Sequence, residues 1–177
     1  MLELAILIGS VAICLSAFFS GAEIAFFSLS DMKVQSLIKH GRKNAKLIAQ
    51  LKSNPDRLLT TILIGNNLVN IGSSAVVTYS MTELLGSQGV GLATGIMTLA
   101  ILTFGEIIPK TIATRYASHI ALRSARLLYT IQILLFPFVY LFEQFSKLPR
   151  LLLKDDVSHN KITDTDVASM ATISSVS

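Results

Sequence analysis

The residues with the clearest chemical potential form one short stretch, Gly105-Glu106-Ile107-Ile108-Pro109-Lys110. No charged side chain occurs from Leu84 to Gly105, so Glu106 is the first carboxylate after a long apolar run. An acidic side chain at membrane depth is costly and is usually kept there by a function. In an α-helix, Pro109 removes the N–H that would bond the Gly105 carbonyl. The stretch therefore predicts a carboxylate beside a freed carbonyl, and both are hard oxygen ligands of the kind that Mg²⁺ prefers.

A second set of polar side chains lies in the first apolar segment of the chain. Ser16, Ser20 and Glu23 are spaced by four and then three residues, which places them on one face of a helix. Gly21 beside them allows a neighbouring helix to come close. A serine inside a membrane helix can also bond to its own backbone, so the ligand and structural interpretations both stay open for this face.

Asparagines mark the middle of the next apolar segment. Asn66 and Asn70 are four residues apart and share a helix face, and two serines further along continue the polar stripe. Their amides either hydrogen-bond between helices, at about 0.6 to 2 kcal/mol each, or offer oxygens to a cation. Glu106 has a structural alternative as well, because Lys110 stands at salt-bridge spacing on the same helix.

Composition indicates a membrane protein. Of the 177 residues, 51% are hydrophobic and 15% are charged, whereas soluble domains carry about 25% charged residues. The single cysteine, Cys14, excludes a disulfide framework. The sequence contains no Ser/His/Asp or Cys/His constellation, phosphate-binding glycine loop or redox motif, so we expect no enzyme activity.

Three segments are candidate membrane spans, namely Leu4–Phe27, Leu58–Met81 and Gly89–Ile108. Each has roughly the 20 residues needed to cross the hydrocarbon. The fifteen Lys and Arg fall into three blocks, at 33–57, 110–126 and 147–161. These blocks flank apolar segments, which favours a bilayer over nucleic acid as the partner. By the positive-inside rule the chain is a multi-pass protein of the cell membrane, inner or plasma, with its N-terminus outside and its C-terminus cytoplasmic.

A fourth apolar run, Leu127–Phe142, contains Pro137 and has basic residues at both ends. These features predict a re-entrant or interfacial helix pair bent at Pro137, with a fourth span as the alternative. Residues 1–154 then form a transmembrane domain with juxtamembrane helices. Residues 155–177 are polar and predict the start of a cytosolic helical region.

The linker 28–57 carries an apolar stripe among its basic residues. The stripe comprises Val34, Leu37, Ile38, Ile48 and Leu51. It predicts an amphipathic basic helix on the inner membrane surface. The alternative is a cytoplasmic helical hairpin that rests on protein.

The candidate ligands inside the spans are all oxygens. The three histidines, His40, His119 and His159, lie outside the spans. An oxygen-only set disfavours zinc and copper and favours Mg²⁺ or a similar hard ion. Glu106 would supply the negative charge, and neutral serine, asparagine and carbonyl oxygens would complete the shell.

Three motifs resemble those of a known family. They are Ser16-Ala-Phe-Phe-Ser20-Gly21-Ala-Glu23, Gly65-Asn66-Asn67-Leu-Val-Asn70 and Phe104-Gly105-Glu106-Ile-Ile-Pro109-Lys110-Thr111. In this order they resemble the transmembrane domain of the CorC/CorB and cyclin M (CNNM) magnesium transporters. The resemblance implies an all-α membrane protein with three transmembrane helices, a juxtamembrane helical belt, a cytosolic helical bundle and a homodimer.

The resemblance also implies a site and an activity. The family's cation site would fall on Ser16, Ser20, Asn70, the Gly105 carbonyl and Glu106, with Asn66 as a further candidate. The implied activity is export of Mg²⁺, with Co²⁺ as a second candidate, in exchange for Na⁺. Family members usually continue into a pair of ATP-binding CBS domains, so we expect no nucleotide control within these residues.

Two other functions use the same residues. A membrane sensor or anchor module would bind Mg²⁺ at a static site and regulate a partner without transport. A transporter of another substrate would bind Na⁺ more tightly than Mg²⁺.

Overall fold

The computed structural model describes residues 2–142 and residue 144, and its elements are helices throughout that part of the chain. The chain divides into two compact units after residue 143, and the first unit holds all of these elements. The predicted cytosolic region, 155–177, lies outside the described residues. The elements in chain order are α1 (Leu2–Ser28), α2 (Asp31–Lys39), α3 (Ala45–Lys52), α4 (Pro55–Leu85), α5 (Ser87–Ala100), a π-helix (Ile101–Ile107) and α6 (Ile108–Leu134).

Polar caps set the starts of α2 and α4. The Ser30 side chain accepts a hydrogen bond from the backbone N–H of Lys33 at 3.3 Å, and the Asn54 side chain accepts one from Arg57 at 3.1 Å. Pro55 lies in the first turn of α4, where its missing N–H has no helical acceptor to lose. Each cap satisfies a backbone donor that the helix leaves free, so local sequence fixes where these helices begin.

The helices α1 and α4 lie side by side in opposite directions. A methyl group built on Gly9, near the start of α1, would lie 3.7 Å from the Val77 side chain, near the end of α4. Further along α1, the buried Phe19 ring packs directly on Gly65, nearer the start of α4. Gly65 has no side chain, so it provides the space that the ring occupies.

The chain reverses again after α4. Val77 packs against Met97 of α5, whereas Asn70, earlier in α4, contacts Glu106, later in the chain. The run of α5, π-helix and α6 is therefore antiparallel to α4 and parallel to α1. Consecutive membrane spans alternate in direction in this way.

Two stretches, Ile6–Ser28 and Thr94–Leu134, are long and apolar enough to cross a membrane. They overlap the predicted first and third spans. Helix α4 has 31 residues, a sufficient length, but three asparagines lower its mean hydropathy. Its outer face is apolar, with Leu68 64% and Ile71 70% exposed, as lipid contact requires. The described part of the chain is all-helical with two candidate membrane spans, and the crossing by α4 stays a prediction.

The helices α2 and α3 form a hairpin that packs on the main hydrophobic core. Gly41 and Asn44 turn the chain with φ of 64° and 67°. Val34, Ile48 and Leu51 are buried in the core cluster together with side chains of α1, α4 and α6. The expectation of one amphipathic helix on the membrane surface is therefore wrong, and the protein-packed hairpin is the observed arrangement. The turn at Gly41 and Asn44 separates α2 from α3. The apolar side chains of both helices therefore pack on the protein core.

Helix α6 is kinked at Tyr116, whose backbone is non-helical (φ −116°, ψ 29°). It ends at Leu134, Leu135 is a turn, and helical backbone resumes over 136–142. The predicted bend at Pro137 thus falls at Leu135, two residues earlier. The proline ring and its missing N–H disturb the preceding turn, so the break lies before the proline itself.

Gly65→Ala should destabilise the protein by about 1–3 kcal/mol, because the added methyl would overlap the buried Phe19 ring. Gly72→Ala in the same helix is the control, since within the described chain nothing lies within 4 Å of its added methyl. Alanine also favours helix by about 1 kcal/mol over glycine. Thermal unfolding in detergent measures both variants. Equal midpoints would contradict the α1–α4 packing described here.

Candidate cation site

A π-helical segment, Ile101–Ile107, contains the candidate ligands of the third predicted span. The Ile108 N–H bonds the Thr103 carbonyl, five residues back, whereas an α-helix bonds four residues back. Short π segments inside α-helices frequently mark functional sites. Here the π-helix carries Gly105 and Glu106 side by side.

The π register changes the role expected for Pro109. In an α-helix its missing N–H would face the Gly105 carbonyl. With Ile108 bonded to Thr103, the same register places the missing donor opposite Phe104. The freed Gly105 carbonyl therefore stays a prediction. Pro109 instead lies in the first turn of α6, where the chain returns to α-helical bonding.

Ser16 joins three elements through one hydroxyl. Its side chain is fully buried, and its Oγ donates to Asn66 Oδ1 at 3.0 Å. The Gly105 carbonyl oxygen lies 3.5 Å from the same Oγ. A hydroxyl carries one proton, so the closer Asn66 bond leaves the Gly105 oxygen with at most a weak share. This contact brings three of the predicted ligands together.

Gly105 allows this approach because it has no side chain. A methyl group built on it would lie 2.9 Å from Ser16 Oγ and 3.1 Å from Ser16 Cβ. Gly105 is itself buried. The position therefore requires glycine for close packing of α1 on the π-helix.

Asn70 and Glu106 form the second contact of the site. The Asn70 Nδ2 donates to Glu106 Oε1 at 3.4 Å. The other Asn70 atom, Oδ1, is buried and has no hydrogen-bond partner within the described residues, and the same holds for Ser20 Oγ. Buried oxygens without partners are rare in proteins and call for an explanation such as an unseen ligand.

A groove of about 580 Å³ opens beside this contact, and Asn70 and Glu106 are part of its lining. Its wall also carries the hydroxyls of Ser74, Thr78 and Thr98. None of these three is among the six predicted ligands, although Ser74 continues the polar stripe noted in the sequence. The signal was present in the sequence, since polar residues recur at every fourth position from Asn66 through 70, 74 and 78.

Lys110 pairs with Glu23, and this was not predicted. Its Nζ lies 3.2 Å from Glu23 Oε2. Glu106, the expected partner on the same helix, makes no ion pair within the described residues. The structural alternative for Glu106 as a plain partner of Lys110 is thus not what the structure shows.

Other polar residues of the spans take structural or outward positions. Ser73 is buried, but its Oγ bonds the Asn70 carbonyl of its own helix at 3.1 Å. Asn67 is exposed and does not face the site. The predicted residues therefore divide into the contacts of Ser16 with Asn66 and Gly105, the contact of Asn70 with Glu106, and the unpartnered Ser20.

The fold and these buried oxygens define a helical membrane domain with polar groups gathered between its long helices. The profile of one family, described as "Cyclin M transmembrane N-terminal domain", matches residues 7–176. The chain therefore belongs to the cyclin M family of transmembrane domains, as the three motifs indicated.

Bacterial and plant proteins are similar to this chain. The UPF0053 inner membrane protein YfjD of Escherichia coli is 41% identical over 134 residues, covering 76% of this chain and 31% of its own length. A UPF0053 protein of Haemophilus influenzae is 40% identical, covering 77% and 33%. A DUF21 domain-containing chloroplastic protein of Arabidopsis thaliana is 41% identical, covering 74% and 20%. The chain spans about a third or less of the length of these curated relatives.

For a site that binds Mg²⁺, as proposed below, Gly105→Ala should weaken that binding by about tenfold, a loss of about 1.4 kcal/mol, because the methyl would push Ser16 away from its position. Gly95→Ala is the matched control, since within the described chain its added methyl meets nothing within 4 Å. Calorimetric titration of both variants in detergent gives the affinities. Unchanged binding by Gly105→Ala would remove the Ser16–Gly105 contact from the site.

Proposed function

We propose that this domain binds Mg²⁺ between α1, α4 and the π-helix and carries it across the membrane. The observation that supports this most is the pair of buried oxygens, Ser20 Oγ and Asn70 Oδ1, without partners among the described residues. A buried polar atom left unsatisfied costs about 1–3 kcal/mol. Binding a hard cation would offset that cost.

The chemistry of the donor set fits Mg²⁺. This ion takes oxygen ligands, gives up water reluctantly and keeps several waters in most sites. Glu106 supplies the one carboxylate that we assign to the ion. Neutral oxygens come from Ser16, Ser20, Asn70 and the Gly105 carbonyl, with Asn66 held against Ser16.

Carboxylate charge distinguishes this site from a purely polar packing contact. Glu106 is only partly buried and lines the groove of about 580 Å³. Its contact with Asn70 is long, 3.4 Å, and is easily exchanged for a metal ligand. Interhelical hydrogen bonding alone would leave no reason for a carboxylate here.

The direction and coupling of transport are proposed from the family resemblance. They are export of Mg²⁺, with Co²⁺ as a second cargo, from the cytoplasm in exchange for Na⁺, by a homodimer. The positive-inside rule places the N-terminus outside and the α2–α3 hairpin in the cytoplasm. The parallel run of α1 and α6 agrees with this topology, since both would cross from outside to inside.

A static sensor or anchor module is the alternative function. It would bind Mg²⁺ at the same oxygens and would not move it. Flux across proteoliposomes separates the two functions, because a sensor shows affinity without transport. The same assay with a Na⁺ gradient tests exchange.

Glu106→Gln should nearly abolish Mg²⁺ flux, because it keeps the shape of the side chain and removes the only charge assigned to the ion. Neutral oxygens alone do not offset the cost of dehydrating Mg²⁺ in a low-dielectric site. Glu83→Gln, at an exposed position near the end of α4, is the control and should transport normally. Flux into liposomes with an entrapped Mg²⁺ dye measures both. Parental flux by Glu106→Gln would refute the proposed site.

Topology is tested with single cysteines in a Cys14→Ala background. A cysteine at Ser87 should react with an impermeant reagent only from outside, and one at Gly41 only from inside, as the charge distribution requires. A cysteine at Asp156 should also react only from inside. Outside labelling at 156 would show that the run 127–142 crosses the membrane and would contradict the proposed topology.

A further inference from the structure

The ion pair of Glu23 and Lys110 lies directly beside the proposed site and takes no part in it. Glu23 comes three residues after Ser20 on α1, and Lys110 comes four residues after Glu106. Their charged atoms are 3.2 Å apart, with side chains 25% and 38% exposed. Each partner thus lies about one helical turn from a proposed ligand.

Lys110 pairs with one carboxylate, Glu23, and a second carboxylate precedes it by four residues in the sequence. Glu106 stands four residues before it, a spacing at which side chains on a helix meet. Lys110 nevertheless pairs with Glu23 of the neighbouring helix. Glu106 is left in contact with the uncharged Asn70 amide. Within the described residues, the proposed cation ligand therefore keeps its negative charge uncompensated.

Close packing of α1 on α6 allows Lys110 to pair with Glu23 of the neighbouring helix. A methyl group built on Gly21 would lie 3.8 Å from the Pro109 carbonyl oxygen, so the two backbones approach closely there. Glu23 and Lys110 follow these residues in the same direction along parallel helices. The packing consequently brings the Glu23 carboxylate to the Lys110 ammonium.

An ammonium at Glu106 would compete with a metal cation for the same charge. Like charges at one site repel, and the repulsion is strong where water is scarce. We propose that Glu23 is a positioning residue that holds Lys110 away from Glu106 and so keeps that carboxylate available to the cation. This inference rests on the proposed Mg²⁺ site and adds a residue that controls its occupancy.

Glu23 affects Mg²⁺ binding only through its pairing with Lys110. Removing the Glu23 charge leaves a partly buried ammonium without its partner, an unfavourable state. Lys110 then turns to Glu106, the carboxylate on its own helix, and Mg²⁺ must displace it to bind. Removing the lysine as well takes away the competitor.

Four proteins test this, namely the parent, Glu23→Gln, Lys110→Gln and the double variant. Calorimetric titration with MgCl₂ in detergent gives the affinities. We expect Glu23→Gln to bind about tenfold more weakly, a coupling within the range measured for contacting residues. Lys110→Gln should bind at least as tightly as the parent, and the double variant should match Lys110→Gln. Rescue of Mg²⁺ affinity in the double variant while thermal stability stays the same in all four proteins is the result that a merely structural ion pair cannot give.

A structural role predicts a different pattern. If the pair only ties α1 to α6, Mg²⁺ affinity follows thermal stability in each variant, and Lys110→Gln loses both. That result, or an unchanged affinity in Glu23→Gln, overturns the inference. If Glu23→Gln does not fold, Lys110→Gln alone still decides, because weaker binding by it contradicts the proposal.

The control is an ion pair elsewhere in the chain, between Lys52 and Asp31 at 3.1 Å. It lies at the hairpin and not beside the site, so Asp31→Asn should leave Mg²⁺ affinity unchanged. A parent protein that binds no Mg²⁺ would refute the proposed function and this inference with it. A parent that binds while Glu23→Gln binds equally well would refute the inference alone.

Discussion

The structure depends on the close approach of α1 to the π-helix at Gly105. A methyl group there would lie 2.9 Å from the Ser16 hydroxyl, so any other residue would force these elements apart. The same line of contact continues to Gly21 against Pro109 and to Glu23 against Lys110. Small residues allow backbones to meet where hydrophobic attraction between helices is weak, as it is in lipid.

The π-helix supplies the carbonyl of Gly105 and the carboxylate of Glu106 at this contact. Its shifted hydrogen bonds, such as Ile108 to Thr103, carry Gly105 to Ser16 and Glu106 to Asn70 within one widened turn. A regular α-helix repeats about every 3.6 residues and would rotate these two positions differently about the axis. The return to α-helical bonding in the first turn of α6, at Pro109, confines the irregular backbone to this segment.

The hairpin and α6 hold the other end of the helices together. The Lys52 ammonium bonds the Leu29 carbonyl just after α1 and also pairs with Asp31. The Asn44 side chain, in the hairpin turn, donates to the Leu122 carbonyl of α6 at 2.8 Å. These contacts connect the hairpin with α1 and α6, which both pack beside the site. The positions of the ligands are thereby supported by a packed core, as precise binding geometry needs.

Local sequence determined the helical class, the capped starts of α2 and α4, and the types of residue at the site, because hydropathy, capping and the polarity of buried side chains are local properties. The motif residues also indicated the family. The partner of each polar group was decided only by tertiary structure. Lys110 stands at helical spacing from Glu106, yet the packing of a helix more than eighty residues away in sequence supplies Glu23 instead. The π register at Gly105 and the hairpin in place of a surface helix have the same origin, since each reflects which neighbour the folded chain provides.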